Sequence, residues 1–150
     1  MDRILKLTEL AQASADRFDV FKPRGPGSGN SVTNDALKHL NSLVIGEFGQ
    51  HVVQQTLSSE NGQSVDFYFA EERAIVEVEF SLSNPYPSLE KDAFKALLAR
   101  DSGKPVEKLV IIGDPGSLKK HERPAPRSIV AWLKRHHRLD VSIIELKGRK

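Results

Sequence analysis

Hydrophobic and polar positions alternate along one stretch of the chain, Ser64–Ser81, and this stretch gives the strongest structural prediction. Period-two patterning is typical of half-buried strands. Two such runs, near Val65–Phe69 and Ala74–Ser81, are separated by the four residues Ala70–Arg73, so a β-hairpin is predicted. Neighbouring strand residues point to opposite sides, so the hairpin has two different faces. The apolar face is predicted to contain Val65, Phe67, Phe69, Ala74, Val76, Val78 and Phe80. The other, mostly polar face is predicted to contain Asp66, Tyr68, Ile75, Glu77, Glu79 and Ser81.

Three acidic residues fall on the polar face of this hairpin. If Phe69 pairs with Ala74 across the turn, Asp66 lies directly opposite Glu77, with about 5 Å between their Cβ atoms. Glu79 follows on the same face, roughly 6.6 Å further along the strand. Like charges facing each other destabilise a sheet, and no Lys or Arg lies on this face to offset them. Either the face is solvated, or a divalent cation such as Mg²⁺, which takes carboxylate oxygens as ligands, lies between the acids.

The periodicity elsewhere completes a mixed α/β (α+β) pattern. The predicted helices are Asp2–Phe18, Thr33–Leu57, Leu89–Arg100 and Arg127–His137, and the further strands are Lys108–Gly113 and Val141–Leu146. Prolines and glycines predict a flexible linker or loop over residues 21–32 and a loop over Leu82–Pro87. A third strand of the hairpin region is expected within Leu82–Tyr86 or as a short segment. A single domain is predicted, with residues 1–20 as an N-terminal helix and residues 33–150 as the core.

Charge is distributed unevenly, although the net charge is only +2. Residues 1–90 carry a net charge of −6, and residues 91–150 carry +8. An acidic centre beside a basic half is expected of a metal site acting on a polyanion, but a basic half can also be a plain solvated surface. The chain has no cysteine, no signal peptide and no apolar run long enough to cross a membrane, so a cytoplasmic protein without a membrane partner is expected.

Basic residues cluster after the predicted buried strand, in the segment Asp114–Pro126, which is predicted to be irregular. Open α/β sheets tend to bind ligands beyond the C-terminal ends of their strands. Lys119, Lys120 and Arg123 are therefore the candidates for contacts with a nucleic-acid backbone, with a plain surface loop as the alternative.

The order of the acidic residues resembles the motif of the PD-(D/E)xK nuclease superfamily, which includes many type II restriction endonucleases. Asp66 is followed after ten residues by Glu77-Val78-Glu79, the E-x-E variant of that motif. Val65 stands where the family often has Pro, and Glu79 replaces the usual Lys. The resemblance implies a restriction-endonuclease-like αβββαβ core with a mixed central sheet, here with a C-terminal helix–strand extension. It also implies that Asp66 and Glu77 bind Mg²⁺ or Mn²⁺.

The same resemblance implies roles for further residues. Glu79 would bind a second ion or orient the attacking water. Glu47, on the helix before the hairpin, corresponds to an extra acidic metal ligand of some superfamily members. Other members place the missing lysine on the helix after the hairpin, where Lys91 and Lys95 stand. Helical phase points both lysines away from the buried stripe, but Lys91 lies in the first turn, where a long side chain can reach round, and is the preferred catalytic candidate.

The predicted function is metal-dependent hydrolysis of phosphodiester bonds by an endonuclease, with DNA preferred over RNA as the substrate. Cutting both strands of a duplex would suit a homodimer with two-fold symmetry. The alternative is a non-catalytic module on the same fold that binds nucleic acid or protein, as part of a defence or repair complex.

Overall fold

The computed structural model describes residues 2–23, 29–56, 64–81 and 84–148. The helices within these ranges are α1 (Asp2–Phe18), α2 (Gly29–Phe48), α3 (Pro85–Asp101), α4 (Ser117–His121) and α5 (Pro124–His137). The strands are β1 (Val53–Thr56), β2 (Ser64–Phe69), β3 (Ala74–Glu79), β4 (Lys108–Gly113) and β5 (Asp140–Glu145).

The described strands form one mixed sheet in the order β1-β2-β3-β4-β5. β1, β2 and β3 pair antiparallel, and the predicted partnership of Phe69 with Ala74 is confirmed. β3, β4 and β5 pair parallel, because α3 and α5 carry the chain back to the starting edge of the sheet each time. The predicted α/β class with a mixed central sheet flanked by helices is therefore confirmed.

The sheet is covered on both faces by helices. On one face α1 and α2 pack on Phe67, Phe69, Val76 and Val78, and the α1 residues Ile4, Leu7, Ala11 and Ala15 are almost completely buried in this layer. On the other face α3 and α5 pack on Ile75, Leu109 and Ile111. Because β3 side chains alternate, its apolar even-numbered residues face α1 and α2, while its acidic residues face α3.

The helix before the hairpin is shorter than predicted. α2 ends at Phe48 rather than continuing to Leu57, because Gly49 takes a φ of 103°, a backbone conformation that side chains larger than glycine rarely adopt. A short turn at Gln50–Val52 then leads into β1. The third strand of the antiparallel part is thus β1, ahead of the hairpin. The short segment is thus the predicted alternative that fits, since β1 has four residues. The other alternative, Leu82–Tyr86, overlaps α3, which begins at Pro85, and residues 82–83 lie outside the described part.

Several predicted boundaries also move. α2 begins at Gly29, inside the segment 21–32 predicted to be a linker, and residues 24–28 of that segment lie outside the described part. Residues 57–63, which precede the hairpin, lie outside it as well. The segment Asp114–Pro126 is not irregular throughout, because α4 lies within it and α5 starts at Pro124. A proline suits the first helical turn, where a missing backbone N–H leaves no hydrogen bond unmade.

Candidate active site

Beyond the last backbone pair of β2 and β3, two carboxylate side chains form hydrogen bonds between the strands. The last regular pair is Phe67 with Val76. At the next position the backbone N–H of Asp66 donates to Oε2 of Glu77 at 3.0 Å, and the backbone N–H of Val78 donates to Oδ2 of Asp66 at 2.9 Å. The side chains of Asp66 and Glu77 therefore lie next to each other, and each accepts a hydrogen bond from the backbone of the opposite strand.

Helix α3 adds a lysine and a third acid to this pair. Nζ of Lys95 lies 3.0 Å from Oε1 of Glu77 and 3.8 Å from Oδ1 of Asp92. Asp92 and Lys95 are one helical turn apart, on the side of α3 that faces the sheet. Glu77 and Asp92 are only 2% and 3% exposed, so both acids are inside the protein. Oδ2 of Asp92 has no hydrogen-bond partner among the described residues.

The inner stripe of α3 explains why Lys95 points toward the sheet. The buried members of the helix are Leu89, Asp92, Ala93, Ala96 and Ala99. Phe94 and Leu98, which a stripe drawn through every apolar residue of the helix would include, are exposed. The true stripe is thus rotated toward Asp92, and Lys95 lies at its edge rather than away from it.

The pKa values of the acids reflect burial without enough positive charge. Burial raises the pKa of the Glu77 carboxyl far above its ordinary value, and the charges of Asp66 and Asp92 add to this shift. The ion pair with Lys95 acts in the opposite direction and lowers the pKa of Glu77. Its effect is smaller than the combined effect of burial and of the charges of Asp66 and Asp92. Burial also raises the pKa of Asp92, against the opposing charge of Lys95.

Glu79 lies next to this group, and its pKa is close to neutral. Burial, together with the charges of Asp92 and Asp66, raises the pKa of Glu79 to about 7. Burial on its own would lower the pKa of Lys95, but the carboxylates around it raise that pKa above the ordinary value. Lys95 is therefore a permanent cation at neutral pH, whereas Glu79 exchanges its proton there.

The site carries more acid than base. Four carboxyl groups, those of Asp66, Glu77, Glu79 and Asp92, face Lys95 and the more distant Lys91. Full ionisation would leave two negative charges uncompensated in a buried place, so protons or a bound cation must supply the balance. Strongly perturbed acids of this kind cluster at functional sites more often than elsewhere.

The donor set suits a metal held by few protein ligands. Within the described ranges, no group of three or more His, Cys, Asp and Glu side chains has the arrangement of a metal cage. Mg²⁺, however, is usually held by one or two carboxylates and completes its shell with water and substrate oxygens. The adjacent carboxylates of Asp66 and Glu77 and the missing positive charge fit an ion of that kind.

The structure separates Glu47 from these acids. Glu47 is on α2, which packs on the opposite face of the sheet, and its side chain is exposed in a surface groove with Arg3 and Lys6. Its predicted contribution to the same metal site is incompatible with this placement. The reason is that α2 packs on the apolar face of β3, whereas Glu77 points to the face covered by α3.

Lys95 lies closer to the acids than Lys91, which the sequence analysis preferred as the catalytic candidate. Lys91 is exposed on α3, and its charge acts on the edge of the site by lowering the pKa of Glu79. Lys95 makes the direct contact with Glu77. Asp92 was missed altogether, although an acid among the apolar residues of a helical stripe was a readable signal of a buried polar site.

The basic candidates lie near the same edge of the sheet. Glu79 at the end of β3 pairs with Gly113 at the end of β4, and α4 follows immediately. On or after α4, Lys119 and Arg123 are exposed, and Nζ of Lys120 is 3.7 Å from Oδ2 of Asp114. Two of the predicted phosphate contacts are thus open to solvent near the acidic site.

Across the described part of the chain, every helix is too short or too polar to cross a lipid bilayer. Comparison with protein-family models, with curated proteins and with solved structures finds no match for this chain.

Proposed function

We propose that this protein is a metal-dependent endonuclease that hydrolyses phosphodiester bonds of nucleic acid, with DNA as the preferred substrate. The observation that carries the proposal is the locked pair of Asp66 and Glu77 with Lys95 in contact with Glu77. An acid pair at the end of a hairpin, with a lysine supplied from the next helix, is the arrangement that the resemblance to the PD-(D/E)xK superfamily implies. The order α2-β1-β2-β3-α3-β4 also supports the proposal, because the same resemblance implies an αβββαβ order.

Asp66 and Glu77 would hold Mg²⁺ or Mn²⁺. When bound, the ion supplies Lewis acidity toward the phosphoryl group and neutralises charge that the lysines leave uncompensated. Glu77 is oriented for this role by the backbone N–H of Asp66 and by Lys95. Asp66 is oriented by the backbone N–H of Val78. Both carboxylates can keep these hydrogen bonds while they serve as metal ligands.

Glu79 is the group best suited to accept a proton from the attacking water. A general base works best when its pKa lies near the working pH, and the pKa of Glu79 is raised to about 7. Lys95 cannot take this role, since its pKa is raised and it keeps its proton. Its positive charge instead faces the negative charge that develops on the phosphate. The water proton goes to Glu79, and the leaving oxygen takes a proton from solvent.

Cleavage assays test this proposal. Supercoiled DNA and a structured RNA are incubated with the protein and Mg²⁺ or Mn²⁺, with a chelator as the blank. We expect metal-dependent cleavage that Asp66→Asn lowers by roughly 100-fold or more, since it removes a metal ligand. Asn keeps an oxygen that accepts from the Val78 amide, so the fold is retained.

Glu47→Gln is the matched control, because it removes an exposed acid on the other face of the sheet. It should leave cleavage unchanged. Binding of nucleic acid without cleavage in any metal would overturn the proposal and support the non-catalytic binding module. That rival draws on the exposed basic residues Lys119 and Arg123 near the site.

A further inference from the structure

The large apolar side chains that remain exposed gather on one side of the protein. Of seven such side chains among the residues that the structure describes, four belong to α3 and α5: Tyr86, Phe94, Leu98 and Trp132. Phe94 and Trp132 are the most exposed of these four, at 58% and 46%. Single exposed apolar side chains are ordinary, but a group of them on neighbouring helices marks an interaction surface. We call this surface the α3–α5 face.

A groove of about 370 Å³ runs between the two helices on this face. Phe94 and Leu97 line it from α3, and Ile129 and Trp132 line it from α5. Glu90 is the one charged side chain among the described residues of its wall. The basic side chains of α5 lie outside the groove, so its interior suits an apolar protein surface that brings a cation near Glu90.

Charges of opposite sign flank the groove. On α3, the exposed acids Glu90 and Asp101 are eleven residues apart and therefore project within about 20° of each other around the helix. On α5, the exposed Arg135 projects within about 60° of Trp132. Nε of Arg135 donates to Nε2 of His136 at 3.2 Å. Within the described ranges, neither Glu90 nor Arg135 forms an ion pair.

We propose that the α3–α5 face joins two copies of this chain about a two-fold axis that runs along the groove, so that α3 of each copy lies on α5 of the other. In such an interface every contact occurs twice, because the same patch serves both copies. Glu90 of one copy then faces Arg135 of the other, and the reverse contact repeats across the axis. Phe94 and Trp132 of both copies fill the centre, as aromatic side chains do in the buried core of protein interfaces.

Charge favours this arrangement over other occupants. An axis across the groove would place α3 on α3 and α5 on α5, and like charges would then face each other. A polyanion or an anionic lipid surface would meet the carboxylate of Glu90 inside the groove. An unrelated protein would need an aromatic ridge with a cation beside it, and the chain itself presents that surface with Trp132 and Arg135.

The size of the α3–α5 face predicts a weak dimer. α3 has 17 residues and α5 has 14, so at ~1.5 Å per residue they are about 25 and 21 Å long, and together about 20 Å wide. A face of roughly 500 Å² per copy lies below the ~800 Å² per partner of standard complexes. We therefore expect reversible association at micromolar concentrations.

Sedimentation velocity of the metal-free protein, kept in chelator and at low salt, measures this association over a range of concentrations. We expect a monomer–dimer equilibrium. Phe94→Ala removes an exposed side chain from the centre of the interface and should weaken dimerisation by about tenfold or more. Leu5→Ala is the matched control, because Leu5 is 59% exposed on α1, which covers the other face of the sheet. It should leave the dissociation constant unchanged.

Charge exchange distinguishes a second copy from any other occupant. Glu90→Arg and Arg135→Glu should each weaken self-association by about tenfold, because each variant places like charges opposite one another. An equimolar mixture of the two variants should regain dimers, since both contacts in the mixed dimer again join an arginine to a glutamate. A protein that stays monomeric at every concentration would overturn the inference. So would full dimerisation of Phe94→Ala, or a mixture of the charge variants that remains monomeric.

The association requires neither metal nor nucleic acid, so this inference goes beyond the proposed function and fails separately from it. Asp66→Asn should dimerise as the unmodified protein does, while losing cleavage. Cleavage that depends on Asp66 in a protein that never dimerises would leave the proposed function standing and remove this inference. Dimerisation through the α3–α5 face without cleavage would do the reverse.

Discussion

Lys95 and Glu77 are 18 positions apart in the sequence, yet 3.0 Å separates Nζ of the lysine from Oε1 of the acid. The contact gives the buried carboxyl group its one direct counter-charge among the described residues. It also ties α3 to the hairpin at the point where the backbone ladder between β2 and β3 has ended. The same contact is therefore structural and electrostatic.

Lys95→Met removes that charge and keeps most of the side-chain length. We expect a loss of about 2–4 kcal/mol in the free energy of unfolding near pH 8, where the acids are most ionised, and a smaller loss near pH 5. Urea denaturation at the two pH values measures both. Lys91→Met is the control on the same helix, and it should change stability by only about 0.5 kcal/mol because Lys91 is exposed. Equal losses for the two variants would contradict the role given to Lys95.

The hairpin and its turn were predictable, because strand alternation is a local property. The regular register ends at Phe67 and Val76, and Val65 packs on the α3 side of the sheet instead of the predicted side. Asp66 and Glu77 still come together, but through hydrogen bonds from each side chain to the backbone of the opposite strand. The strand ahead of the hairpin was not predictable by the same means. Its apolar residues Val52 and Val53 continue the periodicity of α2, and the break depends on one backbone angle, at Gly49. The roles of the acids remain predictions that the experiments must test.

The lysine and the third acid show where helical phase misleads. A stripe drawn through every apolar residue of α3 includes Phe94 and Leu98, which the fold leaves exposed. Asp92 was not among the predicted site residues, although it lies within the buried stripe of α3. Burial of an acid is decided by a partner on another element, and a periodicity within one element contains no information about that partner.

Asp92→Asn should separate stability from activity. The negative charge of Asp92 helps to raise the pKa of Glu79, so its removal should lower that pKa. The acid limb of the pH profile for cleavage should then move to lower pH, while the unfolding free energy near pH 8 rises by about 1–2 kcal/mol in the absence of metal. Cleavage rates and urea midpoints across pH give the two readouts. A lower rate at every pH without a shifted profile would contradict this account.

Stability without metal should fall as the pH rises. The carboxyl of Glu79 titrates near pH 7 in the folded protein but near its ordinary pKa of 4.5 when unfolded. Between these values the folded state holds a proton that the unfolded state has lost, so unfolding is favoured as pH increases. The stabilising contribution is complete below the lower value and lost above the higher one. Urea midpoints in chelator should therefore decline from about pH 5 to pH 8, and Glu79→Gln should flatten this decline.

Metal should reverse that loss. An ion at about 100 times its dissociation constant raises the free energy of unfolding by ~2.7 kcal/mol. The gain should be larger near pH 8 than near pH 6, because the carboxyl groups of the site must release protons before they bind the ion. Thermal melts with Mg²⁺ or Mn²⁺ at both pH values measure it. Asp66→Asn should abolish the gain and Glu47→Gln should keep it, whereas a gain that persists in Asp66→Asn places the ion elsewhere.

Gly113 is constrained by the chain that follows it. A Cβ at this position would lie 2.6 Å from Oγ and 2.7 Å from Cβ of Ser117. Gly113→Ala should cost about 1–3 kcal/mol in the free energy of unfolding, because the turn beside Glu79 must shift. Adding Ser117→Gly should restore most of the loss.

Gly46→Ala serves as the control for this pair. Apart from the adjacent residues and the backbone of α2 itself, no atom of the described residues lies within 4 Å of the added methyl group, so a gain of about 0.5–1 kcal/mol is expected from helix propensity. Urea denaturation of Gly113→Ala, of the double variant with Ser117→Gly and of Gly46→Ala measures these changes in stability. A loss in Gly113→Ala that Ser117→Gly leaves untouched would show that the contact is not its cause.

Helix α3 has two working sides, with Lys95 turned to the sheet and Phe94 turned outward. Both side chains belong to the same rigid helical turns, so any displacement of α3 would move them together. The distance from Lys95 to Glu77, and with it the charge balance of the buried acids, therefore depends on how the outer side of α3 is packed.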